Sequence, residues 1–306
     1  MPREPGCVAQ ARCHDVSVGI ARRVVVGGIL VTAALAAADV MVKRAFGRPP
    51  RRTGPGPVAA RDATIPTAGG SPLRGWLLSA PDMAPGAIVI HGWGGHAGDM
   101  APVAHRLHAL GLHVLAIDAR GHGRSPGIAV SSMPVFAQDV RDATCWLRSQ
   151  PNVDPSRIVL VGHSVGAGAS LFAASRDREV AAVVALAPMA DPVGFMSERM
   201  RGRMPGLLIP LALRYIELSI GHRFEDFTPL NTIRLLEVPV LLVHGDRDDT
   251  VPLWHAQILY ERAGGHSSLS VVEGADHFSV EALEDVDLAG FLAQAGVLPA
   301  QVSDAS

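Results

Sequence analysis

The run Gly162-His163-Ser164-Val165-Gly166 holds the residue of this chain best suited to nucleophilic chemistry. It follows the apolar stretch 157–161 and opens the small-residue stretch 167–174, which is typical of a helix. A sharp turn between a strand and a helix lifts a serine hydroxyl above the edge of a sheet, and the two glycines leave room for neighbouring backbone. The motif and its context therefore predict that Ser164 is a nucleophile.

A serine hydroxyl needs a base that takes its proton and a third group that orients the base. The segment 246–252 contains three aspartates, and the later segment 273–278 contains His277; each follows an apolar run typical of a strand. The three aspartates are Asp246, Asp248 and Asp249. Loops at the carboxyl ends of strands are where open α/β sheets gather their chemistry. The order serine, acid, histidine is therefore available, although charge alone does not choose among the aspartates.

Five motifs occur in order along the chain. They are His91-Gly92-Trp93-Gly94-Gly95, Asp118-Ala119-Arg120-Gly121-His122-Gly123-Arg124-Ser125, the serine motif, Gly245-Asp246-Arg247-Asp248-Asp249-Thr250-Val251-Pro252 and Gly274-Ala275-Asp276-His277-Phe278. Together they resemble the α/β-hydrolase superfamily, and more narrowly its monoacylglycerol-lipase-like and serine-aminopeptidase-like branch, over residues 64–298. The resemblance implies a catalytic triad of Ser164, Asp248 and His277. It also implies an oxyanion hole made by the backbone N–H groups of Trp93 and Val165.

The periodicity of the chain points to the same fold class. Short apolar runs bounded by glycine and proline recur at 75–78, 87–90, 113–117, 158–161, 180–186, 238–243 and 269–272. Amphipathic helix candidates lie between them at 100–110 and 133–149, and Cys145 in the second is expected in the core. The alternation predicts a mostly parallel, doubly wound sheet with helices on both faces. With the resemblance, this is the α/β-hydrolase fold.

Residues 190–234 interrupt the alternation because they contain no strand candidate. Methionines, leucines and isoleucines are mixed there with arginines, which predicts helices inserted between the sixth and seventh strands. In the family such an insertion is a lid over the serine, and an adaptable Met-rich surface suits an acyl or alkyl group. The candidate substrate-binding residues are His163, Met189, Met196 and Met200. Alternatively, the apolar residues of the insertion only cover the sheet, and His163 only packs beside the serine.

The amino-terminal stretch forms a separate region, residues 1–60. Its segment 24–42 has no lysine or arginine and, as a helix, would extend about 28 Å, close to the hydrocarbon thickness of a bilayer. A single-pass membrane anchor is the leading interpretation, with orientation left open. An export signal removed by cleavage, and a helix packed on the domain, are the alternatives. Residues 47–57 are expected to link this region to the hydrolase domain, 61–306.

The sign of the net charge also changes between the amino-terminal region and the rest of the chain. Residues 1–61 carry a net charge of +7, whereas the whole chain carries −2, so the remainder carries −9. An acidic catalytic region argues against nucleic acid as a partner, and the basic flank suits anionic lipid headgroups.

The histidines and cysteines do not form a metal motif. Cys7, Cys13 and His14 lack two further ligands at regular spacing, and His105 and His108 lack an accompanying carboxylate. No metal or organic cofactor is implied.

The sequence therefore predicts a serine hydrolase that cleaves a small-molecule carboxylic ester with an apolar acyl group through an acyl-enzyme. A peptidase or amidase of the same fold and a non-catalytic, membrane-tethered binding protein remain the alternatives.

Overall fold

The computed structural model describes residues 52–300, together with Thr32, Ala36, Asp39 and Val40 of the amino-terminal stretch. The fold reported below belongs to the unit Phe46–Ser306. Apart from those four residues, the predicted anchor 24–42 lies outside the described residues. Within the described residues, no helix is both long enough and apolar enough to cross a bilayer.

Eight strands form one mixed sheet in the order β1-β2-β4-β3-β5-β6-β7-β8. They are β1 (Arg61–Ile65), β2 (Leu73–Leu78), β3 (Ala84–Ile90), β4 (His113–Asp118), β5 (Val153–His163), β6 (Val180–Leu186), β7 (Val240–Gly245) and β8 (Ser267–Val272). The pairs β1–β2 and β2–β4 are antiparallel, and the other neighbouring pairs are parallel. The carboxyl ends of β3 to β8 therefore meet at one edge of the sheet, where loops can bring functional side chains together.

Helices cover the sheet and connect its strands. They are α1 (Ala101–Ala109), α2 (Met133–Arg148), α3 (Val165–Ala174), α4 (Pro192–Met200), α5 (Ile209–Ile220), α6 (Phe224–Phe227), α7 (Pro229–Thr232), α8 (Trp254–Ala263) and α9 (Leu288–Gln294). Side chains of α1 and α9 join one apolar core with strand residues such as Val89 and Val161. Successive residues of a strand point to opposite faces of the sheet. The strand residues next in sequence to Val89 and Val161 therefore face the other side, which α2 and α3 cover.

The structure confirms the predicted fold class. Each of the seven predicted strands is present. The helix predicted at 100–110 corresponds to α1, and the helix predicted at 133–149 corresponds to α2. The central strands β3, β4 and β7 are buried along their whole length, as continuous apolar runs require. The edge strand β8 departs from this pattern, because Ser268 and Val271 are exposed and only Val272 is buried. The other edge strand, β1, was not predicted; its sequence alternates exposed and buried residues and holds only Ala63 and Ile65 in the core.

The segment 190–234 is helical, as predicted. It contains α4, α5, α6, α7 and two short 3-10 turns, Gly206–Leu208 and Ile233–Leu235. Helix α5 ends at Gly221, whose φ of 72° lies in the left-handed region that glycine adopts without strain. Leu207, Leu211 and Leu218 are mostly exposed along α5 and the turn before it. These three leucines therefore contribute little to covering the sheet.

Two local expectations need correction or refinement. Cys145 lies on α2 but is exposed, because it falls on the solvent side of the helix; its predicted place in the core is wrong. Part of the expected linker also packs on the domain. Gly54 lies against the ring of His96 and Gly56 against the ring of Trp76, where an added Cβ would overlap either ring. Residues 54–57 therefore behave as part of the hydrolase domain.

Candidate active site

Ser164 occupies the turn between β5 and α3. Its φ of 54° and ψ of −117° are unusual for a residue with a side chain, and its N–H donates to the carbonyl of Leu186 at 2.8 Å. A non-glycine residue in such a conformation costs on the order of 1–3 kcal/mol, which the surrounding packing must offset. The turn is the strained one that the sequence motif predicts.

Close backbone packing explains the glycines around Ser164. A Cβ at Gly162 would overlap the carbonyl of Gly166, and a Cβ at Gly166 would lie 2.5 Å from the carbonyl oxygen of His91. At Gly92, a Cβ would lie 2.9 Å from His163 Nδ1 and 3.1 Å from the Cβ of Ser164. Only glycines allow β3, β5 and α3 to meet this closely. The backbone after β3 is therefore held against the serine.

His277 connects the serine to an acidic side chain. Its Nε2 lies 3.0 Å from Ser164 Oγ, and its Nδ1 lies 2.7 Å from Asp248 Oδ2. All three side chains are buried. The geometry allows Nδ1–H to donate to the carboxylate while Nε2 faces the hydroxyl, the arrangement in which an imidazole can accept the serine proton.

The loop after β7 holds Asp248 through its other carboxylate oxygen. Asp248 Oδ1 accepts hydrogen bonds from the N–H groups of Thr250 at 2.9 Å and Val251 at 2.7 Å. Burial raises the pKa of this carboxyl, but hydrogen bonds from His244, His277 and Val251 outweigh burial and hold its pKa well below the usual range. Asp248 therefore stays ionised at neutral pH.

The neighbouring aspartates face elsewhere. Asp246 Oδ1 accepts from the N–H of Gly274 at 2.7 Å, and its own N–H donates to the carbonyl of Val272 at 3.1 Å. Arg247 N–H also donates across to the carbonyl of Ala275 at 3.0 Å. These bonds join the loop after β7 to the loop after β8. Asp246 therefore ties together the loops that carry the acid and the histidine, while Asp249 is exposed.

His163 contacts the backbone of His277. Its Nε2–H donates to the His277 carbonyl at 2.6 Å, and the two rings lie 4.9 Å apart. Burial and the nearby His277 lower the pKa of His163 to about 4, although the hydrogen bond to the carbonyl opposes them. His163 therefore fixes the position of His277 as a neutral side chain.

His244 is a residue of this site that the sequence interpretation missed. Its Nε2 lies 2.7 Å from the carbonyl of Val251 and 3.3 Å from Asp248 Oδ2. Both neighbours are acceptors, so Nε2 carries the proton and orients the carboxylate. Its Nδ1 is buried and has no hydrogen-bond partner among the described residues. The available signal was a histidine four residues before the acid, at the end of a buried strand.

The oxyanion-hole candidates lie on either side of the serine. Val165 begins α3, and N–H groups of a first helical turn have no acceptor within the helix. The carbonyl of Gly92 accepts from His91 Nδ1 at 2.6 Å and from Gly95 N–H at 3.2 Å. Because the peptide bond is trans, the N–H of Trp93 points away from those partners.

The remaining substrate-binding candidates lie on two elements. Met189 is buried shortly after the end of β6, whereas Met196 and Met200 lie half-buried on α4 of the insertion. Their contact with a substrate stays a prediction. Among the residues that the structure describes, no group of three or more histidine, cysteine, aspartate or glutamate side chains is placed to hold a metal ion.

His91 and His122, the histidines of the two glycine-rich motifs, serve the fold. His91 Nδ1–H donates to Gly92, and its Nε2 accepts from the N–H of Ala119 at 3.1 Å. Burial lowers the pKa of His91 to about 3, despite the hydrogen bond to the Gly92 carbonyl. His122 packs its ring against Phe136, with ring centroids 5.0 Å apart.

The chain is similar in sequence to a known family model and to several known proteins. A family model described as serine aminopeptidase, S33, matches residues 84–214. An uncharacterized protein of Mycobacterium tuberculosis is 29% identical over 229 residues, which make up 74% of this chain and 75% of that protein. The alpha/beta hydrolase domain-containing protein 17C of Xenopus tropicalis is 28% identical over 169 residues, which make up 55% of this chain and 48% of that protein.

A solved structure is similar over most of the hydrolase domain. The esterase Pf2001 of Pyrococcus furiosus matches with a TM-score of 0.64 and 25% sequence identity. The match covers 81% of this chain and 97% of that one.

The buried histidines make stability depend on pH. Both His91 and His163 have lower pKa values in the folded chain than the value of about 6.5 expected on unfolding. As the pH falls below about 6.5, the unfolded chain takes up protons first, so the free energy of unfolding decreases. We expect His163 alone to account for about 2 kcal/mol of this loss between pH 7 and 4.5. Urea unfolding between pH 7 and 4.5 measures the effect.

A matched pair of variants isolates the contribution of His163. His163→Gln removes one of the two titrating groups and should make the decrease smaller, whereas His266→Gln, at an exposed histidine, should leave it unchanged. If the free energy of unfolding stays constant between pH 7 and 4.5, the buried histidines do not control acid stability.

Proposed function

The chain belongs to the α/β-hydrolase superfamily, and on this premise we propose that it is a serine hydrolase that cleaves carboxylic esters with an apolar acyl group. The observation that carries the proposal is the alignment of three side chains. Ser164 Oγ lies 3.0 Å from His277 Nε2, and His277 Nδ1 lies 2.7 Å from Asp248. This is the arrangement that covalent acyl transfer from an ester to water requires.

The proposed reaction begins with proton transfer. His277 Nε2 takes the proton of Ser164 as Oγ attacks the carbonyl carbon of the ester. Asp248 stabilises the imidazolium that forms and keeps Nδ1 protonated, which leaves Nε2 to act as base. The imidazolium then protonates the departing alcohol. Water, deprotonated by His277, attacks the acyl-enzyme and releases the carboxylic acid.

Two backbone N–H groups complete the proposed mechanism. The N–H groups of Trp93 and Val165 stabilise the oxyanion of the tetrahedral intermediate. A donor of this kind contributes about 3 kcal/mol to transition-state stabilisation in serine hydrolases. The close packing of Gly92 against Ser164 supports the role of Trp93, and the position of Val165 at the start of α3 supports the other donor.

An apolar acyl group is the part of the proposal that rests on the insertion 190–234. Met189 lies buried near the end of β6, and Met196 and Met200 lie half-buried on α4. Thioether side chains adapt to hydrocarbon of different shapes. We assign these methionines to the acyl-binding surface and the insertion to a lid over Ser164.

Amide hydrolysis is the second candidate function. The family model that matches residues 84–214 is described as a serine aminopeptidase, which favours it. The same nucleophile and base would serve either reaction, since both proceed through an acyl-enzyme. Substrate preference therefore has to be measured.

We further propose that residues 24–42 anchor the enzyme to a membrane. The support is the length of this apolar segment and the basic residues that flank it. The full chain should sediment with membranes, and a chain lacking residues 1–51 should stay in the supernatant and keep its hydrolase activity. The deletion stops before Gly54 because residues 54–57 pack on the domain. An uncleaved full chain found only in the supernatant contradicts the anchor.

The substrate class is tested with p-nitrophenyl esters of increasing acyl length beside aminoacyl anilides. We expect kcat/KM to rise with acyl length, because each buried methylene contributes about 0.8 kcal/mol, and to be far lower for anilides. Ser164→Ala should lower ester hydrolysis by about 10⁴-fold while the fold persists. Faster hydrolysis of anilides than of esters would favour the aminopeptidase function.

The choice of acid is tested by three aspartate variants. Asp248→Asn keeps the shape of the side chain but removes the charge that stabilises the imidazolium, so kcat should fall by about 10²- to 10⁴-fold. Asp249→Asn is the matched control, because this exposed carboxylate lies next in sequence; its loss should stay below about tenfold. Asp246→Asn should reduce stability more than kcat, since Asp246 joins the two loops. An Asp249→Asn variant more impaired than Asp248→Asn would refute the assignment.

A further inference from the structure

A cavity of about 270 Å³ lies apart from the residues proposed to catalyse the reaction. It lies between α2 and α3, beside the turn that ends α5, and none of the three residues aligned around Ser164 lines it. Arg120, Arg141 and Arg176 line it together with His222. The cavity is therefore rich in cationic groups.

Two of these arginines have no neutralising partner. Among the described residues, the side chains of Arg141 and Arg176 form no ion pair and no hydrogen bond. The acidic side chain nearest in sequence to Arg176, Asp177, is paired with Arg148 at 2.8 Å. Arg176 instead lies over the ring of Phe172, 4.6 Å from its centroid. Both guanidinium groups are therefore available to an anion.

The third arginine of the cavity, Arg120, is held in place by a buried carboxylate. Arg120 pairs through Nε with the fully buried Asp139, whose other oxygen accepts the backbone N–H of Arg120 at 2.7 Å. Burial raises the pKa of Asp139 to about 7, even though Arg120 opposes the shift. The guanidinium of Arg120 is therefore already ordered before a ligand arrives.

The interior of the cavity is apolar. Phe172 is buried beneath Arg176, and Pro134, Ala137 and Ile220 are among the other apolar residues that line the cavity. The volume lies just below the range of about 300–1,000 Å³ typical of small-molecule sites. It fits a short hydrocarbon chain or a single ring with one charged group. An inorganic anion would leave the apolar surface unused.

We propose that this cavity binds an amphipathic anion, with its carboxylate or phosphate group between Arg141 and Arg176 and its hydrocarbon on Phe172 and Ile220. Guanidinium groups bind both oxyanions through paired hydrogen bonds. The ligand would bridge α3, which begins directly after Ser164, and the end of α5 in the insertion. This site does not depend on the proposed ester hydrolysis.

The test is calorimetric titration of the full chain carrying Ser164→Ala, which prevents turnover. Octanoate represents a fatty carboxylate and octyl phosphate a phosphate monoester, so the two arms distinguish the sources of the anion. We expect at least one of these two amphiphiles to bind. Octanol lacks the anionic group and inorganic phosphate lacks the hydrocarbon, so each should bind at least about tenfold more weakly. Equal binding of octanol would show that the arginines do not recognise the ligand.

Arginine variants locate the site. Adding Arg141→Gln and Arg176→Gln together should weaken binding by at least about tenfold, equivalent to about 1.4 kcal/mol. Arg178→Gln is the matched control, because Arg178 is exposed and does not line the cavity; it should change Kd by less than about twofold. If the double variant does not fold, each single variant should still weaken binding by about threefold.

Three outcomes would overturn the proposal. The first is that neither amphiphile binds at concentrations up to about 5 mM, which means a binding free energy weaker than about −3 kcal/mol. The second is unchanged binding in the arginine variants. The third is an equal loss in Arg178→Gln, which would indicate nonspecific attraction to surface charge.

Discussion

The backbone conformation of Ser164 is the constraint on which the rest of this site depends. A φ of 54° at a residue with a side chain persists only where neighbouring structure enforces it. Here β5 and α3 meet at Gly162 and Gly166 so closely that no Cβ fits, and Gly92 brings the end of β3 against the serine. The same close approach presents the hydroxyl to His277 and brings the backbone N–H candidates beside it. Close packing of β3, β5 and α3 thus holds one strained residue in the conformation that the site requires.

The second requirement is that two separate loops keep the acid and the histidine in line. Hydrogen bonds from Gly274 to Asp246 and from Arg247 to Ala275 join the loops directly. His244 orients Asp248 from one side, and His163 holds the backbone of His277 from the other. Burial lowers the pKa of His163, so its protonation in acid charges a buried ring and destabilises the fold that holds this alignment. Alignment of the site and acid stability therefore share a cause.

Sequence reasoning recovered what depends on local pattern. Continuous apolar runs predicted the central strands, and the glycine pattern around Ser164 predicted the strained turn. It missed β1, because the short strand Arg61–Ile65 places only two side chains in the core, and it placed Cys145 on the wrong side of its helix. The packing of Gly54 on His96 depends on a contact between distant segments, which spacing along the chain does not encode. The role of His244 depends on the conformation of the loop that brings Asp248 back to it. The family resemblance, rather than charge, separated Asp248 from its neighbours.

The most direct test is covalent labelling with a fluorophosphonate, followed by mass spectrometry of the intact protein and of its peptides. If Ser164 is a nucleophile activated by His277, one equivalent is added per chain on the peptide that contains Ser164. His277→Ala should then slow labelling by about 10³-fold or more, since the hydroxyl loses its base. Labelling at another residue, or at the same rate in His277→Ala, would contradict the account.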